Sequence, residues 1–139
     1  MTSSQDLQVL SDKIAIQELL NEYCLRLEVN DFEEWLKLFT EDAVYEVYGR
    51  KLEGHAAIRD MLSKAPHGIH FGGPWRITVD GDMAETIQSY SFEADEPKYS
   101  NTGWYHRTAV RTPNGWRFSY ARVQFHKRAS KPAPAAAAS

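Results

Sequence analysis

His70 is the residue of this 139-residue chain whose type and setting best fit proton transfer. It lies in a short apolar segment, Gly68-Ile69-His70-Phe71, which is followed at once by Gly72 and Gly73. An imidazole has an ordinary pKa of ~6.5, so it can act as a base or an acid near neutral pH. A histidine among apolar residues can equally be a hydrogen-bonded core side chain. The site hypothesis therefore depends on the residues that surround His70.

Two residues of the first predicted helix are candidates to work beside His70. A histidine that abstracts a carbon-bound proton needs a carboxylate that fixes its tautomer and stabilises the imidazolium. Glu28 is the candidate carboxylate, and Tyr23 is the candidate hydrogen-bond donor to a substrate oxygen that gains negative charge. A five-residue separation turns Glu28 by ~140° from Tyr23 on a helix. On spacing alone, Glu28 could therefore be a solvated carboxylate and Tyr23 a core aromatic.

The elements that must position these residues are three helices followed by a β-rich half. Apolar residues at helical spacing predict helices over residues 11–29, 31–39 and 54–64. Strands are predicted over 43–48, 69–79, 83–92, 103–111 and 116–126. Tight hairpin turns are predicted at Asp80-Gly81-Asp82 and Pro113-Asn114-Gly115. This order predicts an α+β domain in which a curved antiparallel sheet wraps around the helices.

Length and composition limit the classes of partner and site. The length predicts one domain over residues 1–129, and the proline- and alanine-rich end predicts a disordered tail over 130–139. The net charge of -3 argues against a nucleic-acid partner. The absence of a long apolar run or a signal-peptide pattern predicts a cytoplasmic protein with no membrane partner.

Cys24, the single cysteine, excludes an intramolecular disulfide. The spacing of His67 and His70 suits a helix face better than a strand start, so no metal site is predicted.

Several short motifs occur in a characteristic order along the chain. They are Ile16-Gln17-Glu18-Leu19-Leu20-Asn21-Glu22-Tyr23, Asn30-Asp31-Phe32-Glu33-Glu34-Trp35, Leu38-Phe39-Thr40-Glu41-Asp42-Ala43-Val44, Gly54-His55-Ala56-Ala57-Ile58, Gly81-Asp82-x-Ala84 and Asn114-Gly115-Trp116-Arg117-Phe118. In this order they resemble the SnoaL-like branch of the nuclear transport factor two superfamily. The resemblance implies a cone-shaped, curved antiparallel sheet, an α+β barrel, closed by about three helices around a deep apolar pocket.

Within that superfamily, the chain looks most like the cofactor-free lyases scytalone dehydratase, bile-acid dehydratase and lindane dehydrochlorinase. The resemblance places Tyr23 on the tyrosine of the bile-acid dehydratase pattern, Glu28 on its aspartate and His70 on the catalytic histidine. It also places Arg122 on an arginine that is thought to help hold the substrate. The main departure is the longer Glu28 in place of an aspartate.

The expected function is therefore a cofactor-independent dehydratase or dehydrohalogenase acting on a hydrophobic cyclic small molecule. In this hypothesis His70 removes a proton, Glu28 orients the imidazole, and Tyr23 or Tyr45 assists the developing charge or the leaving group. The predicted substrate-binding residues are Tyr45, Trp75, Tyr90, Phe92, Trp104, His106, Phe118 and Arg122. An isomerase or cyclase with the same base, and a noncatalytic small-molecule-binding domain, are the alternatives. The resemblance also implies a homodimer or homotrimer.

Overall fold

A computed structural model describes residues 3–126, and the predicted tail over 130–139 lies outside the described residues. Within that range, the helices are α1 (Ser4–Glu28), α2 (Phe32–Leu36) and α3 (Gly54–Lys64). The strands are β1 (Phe39–Val47), β2 (Arg50–Glu53), β3 (Gly68–Asp80), β4 (Met83–Ala94), β5 (Ser100–Thr112) and β6 (Gly115–Phe125). No helix in the described range is long and apolar enough to cross a membrane.

Helix α1 begins about two turns before the apolar periodicity predicted, because its first turns are held by polar contacts. Ser3 and Asp6 form a capping box, in which each side chain accepts a hydrogen bond from the main-chain N–H of the other. Asp12 is buried and accepts two hydrogen bonds of 2.9 Å from the guanidinium of Arg111 in β5. The indole N–H of Trp116 in β6 donates to the same carboxylate at 3.4 Å. These contacts hold α1 against one end of the sheet.

The predicted α+β fold with a curved sheet is confirmed, with two differences in the sheet. The strand order is β2-β1-β6-β5-β4-β3, and β1 pairs with β6 in parallel, so the sheet is mixed rather than wholly antiparallel. Its two edges, β2 and β3, do not meet, so it is an open sheet and not a closed barrel. Strand β2 was absent from the prediction. It follows a tight turn in which Tyr48 and Gly49 both have positive φ, and a tyrosine is not a residue that signals such a turn.

The inner face of the sheet packs against the helices and forms the core. Residues alternate between the two faces along β4 and β5, so that Tyr105 and Arg107 lie inside while Trp104 and His106 lie outside. The side chains from α1, α2 and the sheet that are almost completely buried include Ile16, Leu20, Tyr23, Trp35, Phe39 and Phe118. The indole N–H of Trp35 donates to the main-chain carbonyl of Tyr23 at 3.0 Å, so the short α2 is fixed to α1. The aromatic residues thus form most of the core beneath the candidate site.

Candidate active site

His70 lies on β3, an edge strand, and its side chain is on the inner face of the sheet. It pairs with Phe92 of β4, and the two ring centroids are 4.6 Å apart. The Nδ1 atom of His70 is buried and has no hydrogen-bond partner within residues 3–126. Burial lowers the pKa of His70 from 6.5 to about 4. The imidazole is therefore neutral at neutral pH and holds an available lone pair.

Glu28, the last residue of α1, reaches His70 through the main chain and not through the imidazole. Its Oε2 atom accepts a hydrogen bond of 3.0 Å from the backbone N–H of His70. This N–H points out from the free edge of the sheet toward α1, whereas the side chain of His70 points into the core. The structure therefore brings the two predicted residues together but does not form the predicted carboxylate–imidazole contact.

Two tyrosines form a buried hydroxyl pair beneath the sheet. The hydroxyl oxygens of Tyr23 in α1 and Tyr45 in β1 are 2.6 Å apart, and either group can donate to the other. Burial raises the pKa of both phenols above their ordinary value. Both are consequently neutral at physiological pH and can serve as hydrogen-bond donors. Either tyrosine was predicted to assist the developing charge or the leaving group, and in the structure their hydroxyl groups are in contact.

His70 lines two cavities. The larger, a cleft of about 390 Å³ between α1 and β3, is also lined by Cys24, Glu28, Gly72, Trp75 and Gln88, among others. The smaller, about 100 Å³ between α2, α3, β1 and the start of β3, is also lined by Trp35, Tyr45, Met61 and His67, among others. Small-molecule sites usually occupy ~300–1,000 Å³, so the cleft lies at the small end of that range. Within residues 3–126, no three potential metal-ligating side chains cluster together.

Five of the predicted substrate-binding residues lie on the inner side of the fold. Trp75 lines the cleft and Tyr45 lines the smaller cavity. Tyr90 and Phe92 face inward from β4, where the phenol of Tyr90 donates to Asn101 at 2.7 Å. Phe118 is completely buried in the core and lines neither of these cavities. Trp75 and Tyr45 therefore each line a cavity together with His70, and Phe92 packs on its ring.

The other three predicted substrate-binding residues lie on the outer face of the sheet, so their expected inward placement is wrong. His106 of β5 pairs with Arg122 of β6, and its Nε2 atom is 2.7 Å from Oε1 of Gln124. Trp104 is on the same outer face, where its ring packs edge-on against His126. The alternation along β5 is the opposite of the one predicted. The side chains of Tyr105 and Arg107 enter the core, and those of Trp104 and His106 do not.

A family model described as a SnoaL-like domain matches residues 8–122. The chain belongs to the SnoaL-like family. This SnoaL-like chain is 29% identical over 119 residues to an uncharacterized protein of Mycobacterium tuberculosis, with 78% of this chain and 81% of the relative covered. The family assignment agrees with the resemblance seen in the motifs.

Solved structures share the SnoaL-like fold of this chain. An NTF2-like protein with a cystatin-like fold from Novosphingobium aromaticivorans has a TM-score of 0.81 at 26% identity, over 91% of this chain and 90% of that one. A scytalone dehydratase-like protein of the same species has a TM-score of 0.76 at 20% identity, over 85% and 86% of the two chains. A hexachlorocyclohexane dehydrochlorinase of the LinA type from Novosphingobium barchaimii has a TM-score of 0.79 at 19% identity, over 88% and 91%.

Arg107, on the inner face of the sheet of this SnoaL-like domain, is a residue that the sequence did not point to. Its side chain is 1% exposed, and its Nη2 donates to Oε1 of Gln88 at 2.5 Å. The guanidinium carbon lies 4.4, 4.8 and 5.1 Å from the ring centroids of Tyr23, Tyr105 and Phe118. Arginine is rarely buried, so its residue type gave no sign that this side chain faces the core. The neighbouring buried Tyr105 and Ala109, which share its face, were the available signal.

The buried imidazole should make the stability of the SnoaL-like domain depend on pH. Between the unfolded pKa of ~6.5 and the folded pKa of about 4, the unfolded chain binds a proton at His70 that the folded chain does not. The folded state is therefore favoured most above pH ~6.5 and loses stability as the pH falls toward 4, by up to ~3 kcal/mol at 1.36 kcal/mol per pKa unit.

Urea unfolding at a series of pH values measures this loss. We expect His70→Gln to be less sensitive than the wild type over that pH range, and His126→Gln, changed at an exposed position, to follow the wild type. Parallel stability curves for the wild type and His70→Gln would show that burial does not control the protonation of His70.

Proposed function

We propose that this protein is a cofactor-independent lyase that eliminates water or halide from a hydrophobic cyclic small molecule, with His70 as the base. The observation that carries the proposal is the neutral, unpartnered imidazole of His70 at a position shared by the two cavities. A general base must be unprotonated and within reach of the substrate, and His70 meets the first condition throughout the physiological pH range.

The proposed reaction begins with proton abstraction next to an activating carbonyl group. The lone pair of the His70 ring takes the proton, and the electrons of the broken C–H bond form the new C=C bond. The leaving group departs from the adjacent carbon with its electron pair, as chloride or as hydroxide that takes up a proton. Tyr45, which lines the smaller cavity and is hydrogen-bonded to Tyr23, donates to the substrate oxygen as its negative charge grows.

Glu28 has a positioning role in this proposal. By accepting the backbone N–H of His70 at the free edge of β3, it fixes the main chain from which the imidazole projects. A carboxylate bound to the ring itself would raise the pKa of His70, whereas burial without such a contact lowers it. Glu28 therefore supports the geometry of the base more than its basicity.

The dehydratase-like and dehydrochlorinase structures that share this fold support elimination as the class of reaction. A second candidate is a noncatalytic small-molecule-binding domain. The missing contact between the Glu28 carboxylate and the His70 imidazole favours that candidate, because a base of this kind is expected to have a partner that stabilises its protonated form. An isomerase or cyclase with the same base is the third.

Incubation with β-hydroxycyclohexanone and β-chlorocyclohexanone in D₂O separates the three candidates. A lyase converts each ketone to cyclohexenone faster than the protein-free solution does, with a loss of mass. An isomerase or cyclase leaves the mass of the skeleton unchanged but exchanges deuterium into the carbon next to the carbonyl group. A binding domain does neither, and that result for both ketones would contradict the lyase proposal.

A further inference from the structure

Arg107 carries a buried positive charge that no carboxylate among residues 3–126 neutralises. The Nη2 atom donates to the neutral amide of Gln88, while Nε and Nη1 have no hydrogen-bond partner among the residues that the structure describes. In the described part of the chain, no carboxylate forms an ion pair with this guanidinium. A buried cation normally has a paired anion, since desolvation without one is costly. Three aromatic faces compensate Arg107 only in part.

The polar groups around Arg107 are all neutral at physiological pH. Burial raises the pKa of the phenols of Tyr23, Tyr45 and Tyr105, and it raises the pKa of the Cys24 thiol to about 11. Arginine keeps its proton even when buried. The interior around Arg107 therefore has a net positive charge, which favours an anion from outside the protein.

Gln88 connects this charge to the cleft. It donates a long hydrogen bond of 3.4 Å to the carbonyl of Gly73, accepts from Arg107, and lines the cleft. A Cβ atom at Gly72 would lie 2.6 Å from Nε2 of Gln88 and 3.5 Å from Sγ of Cys24. Because Gly72 has no side chain, the cleft reaches down to the Gln88 amide, directly in front of Arg107.

We propose that the cleft binds a small organic anion, such as an aromatic carboxylate, with its charged oxygens at Gln88 and its ring toward His70. Arg107 then supplies the opposite charge from behind the amide. Glu28, a carboxylate that also lines the cleft, is held at the His70 end by the backbone N–H of that residue. The inference names the substrate class of the proposed lyase, and it rests on that proposal because His70, the proposed base, lines this cleft.

Benzoate and benzamide test this inference, because they have nearly the same shape and differ in charge. Titration calorimetry with the wild-type protein should show benzoate binding at least ~tenfold tighter than benzamide, the ratio expected when one hydrogen bond gains a charge. Gln88→Glu places a carboxylate where Gln88 now contacts Arg107, so it should weaken benzoate binding at least ~tenfold and leave benzamide binding nearly unchanged. Gln124→Glu, the same change on the outer face, should bind benzoate as the wild type does.

Arg107→Met should also lose the preference for benzoate. If that variant does not fold, Gln88→Glu decides the question, because it keeps the arginine. Equal affinity for the two probes, no benzoate binding by the wild type, or unchanged benzoate binding by Gln88→Glu would overturn the inference. Benzoate binding without any elimination would thus refute the lyase alone, and elimination without benzoate binding would refute the anion site alone.

Discussion

His70→Gln should lower kcat for the elimination reaction about 10²–10⁴-fold and change KM little, the effect expected when a general base is lost. Glutamine fills much of the space of the imidazole and remains polar, but its amide has no useful basicity near neutral pH. The substrate should still bind, because glutamine replaces the imidazole in the cleft wall with a polar group of similar size and the Tyr23–Tyr45 pair is unchanged. Steady-state kinetics with whichever β-substituted ketone the wild type turns over provides the measurement.

His126→Gln is the matched control for this variant. His126 follows β6, is exposed and packs on the outer-face residue Trp104, so its loss should leave kcat within about twofold. Circular dichroism must show that both variants are folded. If His70→Gln retained wild-type turnover, the imidazole would not be the base, and the elimination would need a different proton acceptor.

Gly103→Ala should destabilise the fold by about 3 kcal/mol or more, or prevent folding. A Cβ atom at this position would lie 2.0 Å from the carbonyl oxygen of Gln124 and 3.1 Å from the Cα atom of Phe125. Both are main-chain atoms of β6, the strand paired with β5 there, and neither can rotate away. The two strands would have to separate, with loss of ladder hydrogen bonds. Urea unfolding of the variant measures the effect.

Gly72→Ala is the appropriate comparison, because its closest contact is also too short. At Gly72 the nearest atom, Nε2 of Gln88, belongs to a flexible side chain 2.6 Å away. The amide can move, so this variant should lose no more than about 1 kcal/mol. Similar losses for the two variants would show that the main-chain approach at Gly103 is not what requires glycine.

The elements with strong local signals were predicted well from the sequence. Helix α3 has the predicted bounds, and both hairpins turn at the predicted residues, because glycine, asparagine and aspartate favour the required backbone angles. The early turns of α1 were not predicted, since they depend on Asp12 meeting Arg111 from a distant part of the chain. The parallel pairing of β1 with β6 is likewise a long-range arrangement without a local signal.

The sequence anticipated part of the candidate site, and the misplacement of Trp104 and His106 has a physical cause in β5. The motif resemblance pointed to Tyr23, Glu28 and His70. In the structure, the Glu28 carboxylate accepts a hydrogen bond from the backbone N–H of His70, and the hydroxyl of Tyr23 contacts that of Tyr45. Along β5, however, both faces contain aromatic and polar residues, so the alternation alone does not show which face is buried. Only packing against α1 selects the face with Tyr105 and Arg107. A buried arginine contradicts the usual preference and so concealed the correct choice.

The contacts that complete the fold join distant parts of the chain, so they form late while the protein is being synthesised. Asp12 and Arg111 are 99 residues apart, and the β1 residues Phe39 and Tyr45 pair with Phe118 and Ala121. While the chain emerges from the ribosome, β1 can therefore pair with β2 and α1 can pack against α2 and β3, but the pairing of β1 with β6 and the Asp12–Arg111 contact must wait for the last hairpin. Sheet formation of this kind is slow, because distant segments must meet before any contact stabilises them. The apolar face of α1 is thus only partly covered during translation, and its packing is complete only when β5 and β6 are in place.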